Sequence, residues 1–438
     1  MSARCVLIAA FAAGVNLLRA EADIQIGLLL ERRAAATDTA VSMMASGIPH
    51  GAGGWGEQIE GWEGTRLLEL CYVAGTSSSR SRVGANIEHV YPIEWDPAEI
   101  GRSVEPGDAE SVVRIVPSSP TAFDARYLGH QLEFEAREAG GGTMVSVASD
   151  SVTIAGELEY GSGPSAAKQP LFDRRALSSQ LRPRFGKREL IGAHPLKTAD
   201  AEHATEMVFA SAYPLGDLPA FEGDPDADPF AGPQGLVELS PSIAVRLEFV
   251  EADRALFLEL MEAGPRTDPT GFIDGALEKG EAKPIVSSYL RLRSGQRGKA
   301  EDLHEFIYPT EFEPSEFGIG FSPPDAIPAI PQPPALMFEM RPVGLATEAV
   351  AVVGVDEKSV LLDLAANYVN FIRFIDYGHG GASDIQPVFA SWIVAVSVAL
   401  QDGEPMLVSA FTPRDHEFGA PRSDRIVLLI ATVGLGKL

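Results

Sequence analysis

Phe306-Ile307-Tyr308-Pro309-Thr310-Glu311-Phe312-Glu313-Pro314-Ser315-Glu316-Phe317-Gly318 is a line that the chain writes twice. The earlier version is His89-Val90-Tyr91-Pro92-Ile93-Glu94-Trp95-Asp96-Pro97-Ala98-Glu99-Ile100-Gly101. Tyr, Pro, Glu, Pro, Glu and Gly recur in order, and Tyr308 falls 217 positions after Tyr91. Aromatic or acidic character is kept at Trp95/Phe312 and Asp96/Glu313. Self-similarity over such a distance decides the architecture before any local periodicity is read.

The repeat extends outward from this line. Arg80 meets Arg297, Arg82 meets Lys299 and Glu88 meets Glu305 at the same spacing of 217. Arg126 and Gly129 meet Arg341 and Gly344 at 215, which implies a small indel between. The spacing of 217 returns at Tyr160-Gly161 with Tyr377-Gly378, Pro170 and Phe172 with Pro387 and Phe389, and Gly186 with Gly403. At the front, Ile24, Ile26, Leu28 and Leu30 answer Ile243, Val245, Leu247 and Phe249 at 219. The reading is two copies of one domain, with Tyr91 and Tyr308 at the same place in their sheets.

Each copy opens in the same way. Residues 24–30 alternate as a strand with one buried face, and 37–44 form a helix with Ala40, Val41 and Met44 on one side. In the second copy the strand spans 243–250, and the helix carries Leu256, Phe257, Leu260 and Met261 before Gly264-Pro265 ends it. Further strands alternate at Leu132/Phe134, Val145/Val147, Val350/Val352 and Val360/Leu362/Leu364. Residues 393–400, the turn Asp402-Gly403 and the return at Leu407 and Val408 read as a β-hairpin. Residues 426–433 close the second copy, and 207–210 are their weaker counterpart. The fold class is α+β and β-dominated: two tandem domains, each a strand and helix followed by antiparallel strands and hairpins.

Residues 1–22 have the order of a secretory signal, with Arg4, an apolar run over 5–18 and the small-x-small site Ala20-Glu21-Ala22. The alternative is an N-terminal core helix. No later stretch reaches the ~18 apolar residues of a spanning helix. Export without such an anchor leads to the periplasm, the outer membrane or the exterior. The remaining divisions are a repeat over 23–213, an acidic Pro/Gly linker over 214–241, and a repeat over 242–438.

The 35 basic against 61 acidic residues give a net charge of −26, a field that repels phosphate backbones and argues against nucleic acid as a partner. Of the cysteines, Cys5 lies in the signal-like segment, so if that segment is cleaved Cys71 alone remains and no intrachain disulfide can form.

Enzyme and metal signatures are missing from the sequence. Asp224, Asp226 and Asp228 have calcium-loop spacing, but Pro229 and Gly235 stand where Gly and Glu are needed. The 8 histidines show no ligand spacing. Gly378-His379-Gly380-Gly381 reads as a flexible turn, the Gly-rich stretch over 47–64 as a surface loop, and the Pro-rich run over 323–334 as a stiff loop or a polyproline ligand. No catalytic residue, cofactor or metal is expected. The doubled line supplies the candidate interaction residues: Tyr91, Pro92, Glu94 and Trp95, then Tyr308, Pro309, Glu311 and Phe312. An aromatic, proline-braced and acid-rimmed protrusion suits a subunit contact, or alternatively the guard of an exposed sheet edge.

The second copy resembles a known family. After its strand and helix, Ser294-Gly295-Gln296-Arg297-Gly298-Lys299-Ala300 resembles the start of the C-terminal secretin domain. Arg341-Pro342-Val343-Gly344-Leu345 looks like that family's Arg-x-Val-Gly-x-x-Leu strand. Residues 387–410 are similar to its Asp-Gly hairpin and 425–433 to its closing strand. The resemblance implies the outer-membrane channels of type II and III secretion and pilus systems. It also implies other envelope or secretion-system proteins and a homo-oligomer as partners, with membrane association through them.

Two departures matter. The family's Val-Pro-x-Leu-Gly-Asp-Ile-Pro run is replaced by residues 412–424, and its Gly-Gly-Leu-Ile by Val408-Ser409-Ala410-Phe411. The expected hairpin also offers only about 6–7 residues per strand against the ~9–11 of a tilted spanning strand. The expectation is a non-enzymatic structural, assembly or binding component that is no pore by itself. A true channel subunit and an unrecognised hydrolase are the alternatives.

Overall fold

Val, Ile and Leu at alternate positions over long runs favour pleated strands over helices. The computed structural model describes residues 24–46, 64–77, 79–103, 112–116, 118–138, 142–162, 166–198, 201–219, 241–264, 266–313, 335–377, 384–415 and 419–436. The signal-like segment, the Gly-rich stretch up to residue 63, the aspartate run, the Pro-rich run and the Gly-His-Gly-Gly turn lie outside the described residues.

The first half comprises β1 (Ile24–Ala36), α1 (Thr37–Ser46), β2 (Thr65–Thr76), β3 (Arg80–Asp96), the short β4 (Glu99–Ser103) and β5 (Val112–Val116), β6 (Ser119–Glu138), β7 (Thr143–Tyr160), β8 (Ala167–Leu181), β9 (Arg188–Thr198) and β10 (Ala201–Asp217). The second half comprises β11 (Ser242–Asp253), α2 (Arg254–Ala263), α3 (Thr270–Lys279), β12 (Ala282–Arg293), β13 (Arg297–Phe312), β14 (Ala335–Val353), β15 (Ser359–Asp376), β16 (Ile385–Gln401), β17 (Met406–Phe411) and β18 (Arg425–Gly436).

These strands form two eight-stranded antiparallel sheets, with β4 and β5 pairing apart from them. Sheet 1 runs β12-β11-β18-β17-β2-β1-β10-β9, and sheet 2 runs β13-β14-β15-β16-β3-β6-β7-β8. In both sheets the four strands of the second half follow the same order as the four of the first. The halves share both sheets and join at two seams, β17 on β2 and β16 on β3.

The sheets face each other across one core that includes Leu28, Val83, Leu132, Val245, Leu362, Val396 and Leu429. Inner-face alternation of this kind is what a two-layer β packing requires. The other face of sheet 1 is covered in part by α2 and α3, whose Phe257, Leu260, Met261 and Ile273 pack on Leu29, Tyr72 and Leu428. Helix α1 brings Ala40 and Met43 against Met207 and Phe209.

Several sequence expectations need correction. Strand β1 is buried on both faces, not one, since Leu28 and Leu29 are both at 0% exposure. Val41 is 54% exposed, and Met43 takes its expected place on α1. On β14 the inward residues are Ala349 and Ala351, while Val350 and Val352 face the other way. Helix α3 follows α2 and was not foreseen. The expected linker begins later than residue 214, because β10 continues to Asp217 and Leu215 is fully buried.

The largest correction concerns Asp402-Gly403. Strands β16 and β17 do not pair with each other: β16 pairs in sheet 2 with β15 and β3, and β17 in sheet 1 with β18 and β2. The turn is a corner between layers. Gly403 (φ 78°) donates its N–H to Val433 O at 2.8 Å, and the Asp402 carboxylate accepts from Leu435 N–H at 2.7 Å. Gly186 likewise donates to the closing strand of its own half, to Ala212 O at 2.9 Å, two residues before the position that matches Val433. Strand β16 is 17 residues long, so the short-hairpin argument against a membrane span falls.

Candidate interaction site

The doubled line lies on a pair of arms. Strand β14 pairs with β15 only from Gly344 onward, and β6 pairs with β7 only from Gly129 onward. Before those points the β13–β14 and β3–β6 hairpins leave the sheet as arms. Gly344 (φ 132°) and Gly129 (φ 145°) hold the divergence. A Cβ there would collide with the backbone carbonyl of Asp302 or Ala85, and L residues avoid that φ in any case.

Each arm is pinned to its own half by the same two contacts. Gln169 Nε2 donates to Pro92 O at 2.8 Å, and Gln386 Nε2 donates to Pro309 O at 3.0 Å. The Tyr91 ring meets Phe172 at 5.2 Å, and the Tyr308 ring meets Phe389 at 6.0 Å. Proline gives up its N–H but leaves a carbonyl free to accept, which is the atom the glutamine takes.

The arms then meet each other. Glu311 pairs with Ala122, and Tyr308 and Phe312 cover Val90 and Phe123 on the back of the first arm. Tyr377 Oη donates to Val90 O at 2.7 Å, and Arg341 faces Glu88 at 2.6 Å. Burial pushes the Glu88 carboxyl up, against the pull of Arg341. Burial, reinforced by Arg373, holds His89 down at about 4, so its ring is neutral 3.4 Å from Tyr377 Oη. Of the sequence candidates, Tyr308 and Phe312 are in this junction, and Glu311 touches its rim while staying exposed. Pro309 is half-buried. Tyr91 and Trp95 are half-buried, Pro92 is buried and Glu94 is exposed on the first arm.

A buried ionic cluster locks the seam beside the arms, and sequence reasoning missed it. Arg32 donates to Glu206 at 2.7 Å and to Glu69 at 2.5 Å. Arg414, which follows β17 in the second half, crosses to Glu69 of β2 at 2.6 Å. Arg175 joins Glu206 at 3.3 Å and also pairs with Asp173. His130 lies 3.5 Å from Glu69 and 2.8 Å from Ser149 Oγ. Burial raises the Glu69 carboxyl, but Arg414, His130 and Arg32 overcome it and hold it well below the carboxylate range. Burial pushes His130 down despite Glu69. Glu69 and His130 are each 2% exposed, so the centre of the cluster is closed to solvent, while Arg175 and Asp173 lie at its margin. Thr412 and Ser409 add hydrogen bonds to Leu70 and Tyr72 across the same seam. The signal that was available is the run Glu31-Arg32-Arg33, which interrupts an otherwise apolar strand.

Among the described residues no three His, Cys, Asp or Glu side chains gather as metal ligands, and no helix is long and apolar enough to cross a membrane. The latter says nothing of a β-barrel.

No family model and no curated protein matches the chain. Among solved structures, it is similar to the cryo-EM structure of the V. cholerae type IV competence pilus secretin PilQ, at 9% identity and a TM-score of 0.23. The match covers 95% of this chain and 61% of that one.

Proposed function

We propose that the chain is a non-enzymatic structural component of a bacterial cell envelope. In this reading its two tandem secretin-like domains hold protein units together, edge to edge, in a secretion- or pilus-related assembly. One observation carries it: the halves recognise each other by continuing both sheets across β17–β2 and β16–β3, with the arms and a sealed ionic cluster fastening the seam. The described polar chemistry at that seam serves attachment. The partners are other envelope proteins and further copies of this chain, reached after export through residues 1–22.

A single copy is not a pore. In lipid every backbone group must be satisfied within a closed sheet, whereas β8, β9 and β12 each pair on one side only among the described residues. The test is fractionation of the native host with N-terminal sequencing. The chain is expected with the envelope, beginning at Asp23. A cytosolic chain that retains Met1 overturns the reading, as do discrete conductances from isolated single copies in a planar bilayer.

A further inference from the structure

We infer that the chain associates head to tail with further copies of itself, the free end of its first half docking on the free end of the next chain's second half in the register of its own internal seam. This rests on the reading that the fold binds its units edge to edge. It adds which edges meet and which side chains face each other.

The seam in sheet 2 sets residues 388–395 of β16 against 82–89 of β3. Shifted by the repeat spacing, the same pairing sets 171–178 of β8 against 299–306 of β13, each of which lacks a ladder partner on that side among the described residues. The charges suit the match. The β8 run carries Arg174 and Arg175, and the β13 run carries exposed Glu301, Asp302 and Glu305. In this register Arg174, exposed and held at the surface by Asp150, lies diagonal to both Glu301 and Glu305, within reach for cross-strand pairs, while Arg175 stays turned inward on Glu206.

The arms give the independent observation. Val90 and Phe123, on the back of the first arm, are 2% and 8% exposed because the second arm covers them. Their counterparts on the second arm, Ile307 and Phe338, are 63% and 58% exposed, with Met340 beside them at 54%. Contiguous apolar surface of this kind marks a contact. The covering side has its counterparts too. Tyr377 donates to Val90 O, and its equivalent Tyr160 is 58% exposed. Arg341 faces Glu88, and the equivalents Arg126 and Glu305 are both exposed. Among the described residues, one end of the chain thus carries an apolar back without its cover, and the other a covering set without its back. Such a contact is heterologous, so association continues from chain to chain.

The test uses the full mature chain in sedimentation velocity over a concentration series. The native chain should form a ladder of species that grows with concentration. A head variant, Tyr160→Asp with Leu171→Asp, and a tail variant, Ile307→Asp with Phe338→Asp, should each remain monomeric. All four positions are exposed, and circular dichroism confirms that the fold is kept. Mixed together, the two variants should give one dimer and nothing larger, because only one head and one tail remain competent. Glu305→Arg alone should weaken association several-fold, and Arg126→Glu in the same chain should restore it. A native chain that stays monomeric overturns the inference, as does a head variant that still self-associates or a mixture that yields no dimer. A monomeric chain recovered from the envelope with other proteins overturns this contact alone. A self-associating chain confined to the cytosol overturns the proposed function instead.

Discussion

Val90 and Ile307 hold the same place on the two arms, as do Phe123 and Phe338, yet the first of each pair is buried and the second is open. The ionic clusters differ in the same direction. Arg32 and Glu206 form an ion pair within the first half, and at the matching positions of the second stand Glu251 and Arg425, with the charges exchanged. The first pair is sealed, with side chains 6% and 1% exposed, whereas the second is 21% and 18% exposed. One topology has therefore produced a closed unit and a more open one. What separates them is a neighbour: the first half has the second lying on its arm and sending Arg414 into its core, and nothing described does this for the second.

The sealed cluster offers the largest expected effect. Glu69→Ala leaves Arg32 and Arg414 buried without their shared counter-charge, and removing one partner of a buried pair costs about 3–5 kcal/mol. Urea unfolding of the variant reads this directly. Because the Glu69 carboxyl is held below its ordinary range, its contribution is present above the unfolded carboxylate value and is lost as pH falls through the folded one. The native and variant stabilities should converge in strong acid. Equal stabilities at neutral pH would break the comparison.

The arms come next. Phe123→Ala removes a ring that touches Phe312 at 5.8 Å and Tyr377 at 5.7 Å, and should cost about 3 kcal/mol. Phe338→Ala, at the matching exposed place, should change the stability of an isolated chain by no more than about 0.5 kcal/mol. Similar losses at both positions would show that the second arm is covered within the single chain.

How far the sequence led can be judged residue by residue. The repeat gave the arms, since Gly129/Gly344 and Tyr91/Tyr308 were matched by spacing alone. It could not give the corner at Asp402-Gly403, because a hairpin and a crossing between layers use the same turn chemistry, and only the partner strand tells them apart. Ala349 and Ala351 were passed over for Val350 and Val352 because hydropathy ranks valine higher, and a strand that is apolar on both faces does not announce its inner one. The Glu69–Arg414 pair spans 345 positions, so no local pattern contains it. The exchanged pair escaped for another reason: a repeat read by likeness of residues overlooks positions where opposite charges do the same job.

Asp384 sharpens the comparison at a smaller scale, for its first-half counterpart is the uncharged Ala167. Asp384 is fully buried, and neither carboxylate oxygen has a hydrogen-bond partner. Burial, aided by the charge of Asp376, raises its carboxyl to about 6 from an ordinary 3.8. A carboxyl that binds its proton more tightly when folded gives stability that is fully present below the unfolded value and lost as pH rises through about 6. Asp384→Asn should therefore stabilise the protein by about 2–3 kcal/mol at alkaline pH and by almost nothing in acid. Thermal melts across that range measure it, and a pH-independent difference would sink the assignment.

The smallest effect belongs to the open member of the exchanged pair. Glu251 faces Arg425 and Arg422, each at 3.1 Å, and the Arg422 side chain is 37% exposed. Water reaches these groups, so desolvation is slight and the attraction is screened. Exposed pairs of this kind contribute about 1 kcal/mol or less. Glu251→Gln keeps the shape and removes the charge, and should lower stability by no more than that. The remainder should shrink in ~1 M salt, where the screening length falls to about 3 Å. Glu69→Ala should keep most of its cost in the same salt, because counter-ions do not enter a sealed cluster. If both variants lost their effect together on adding salt, the first-half cluster would be wet, and the contrast between the two halves would be one of sequence and not of enclosure.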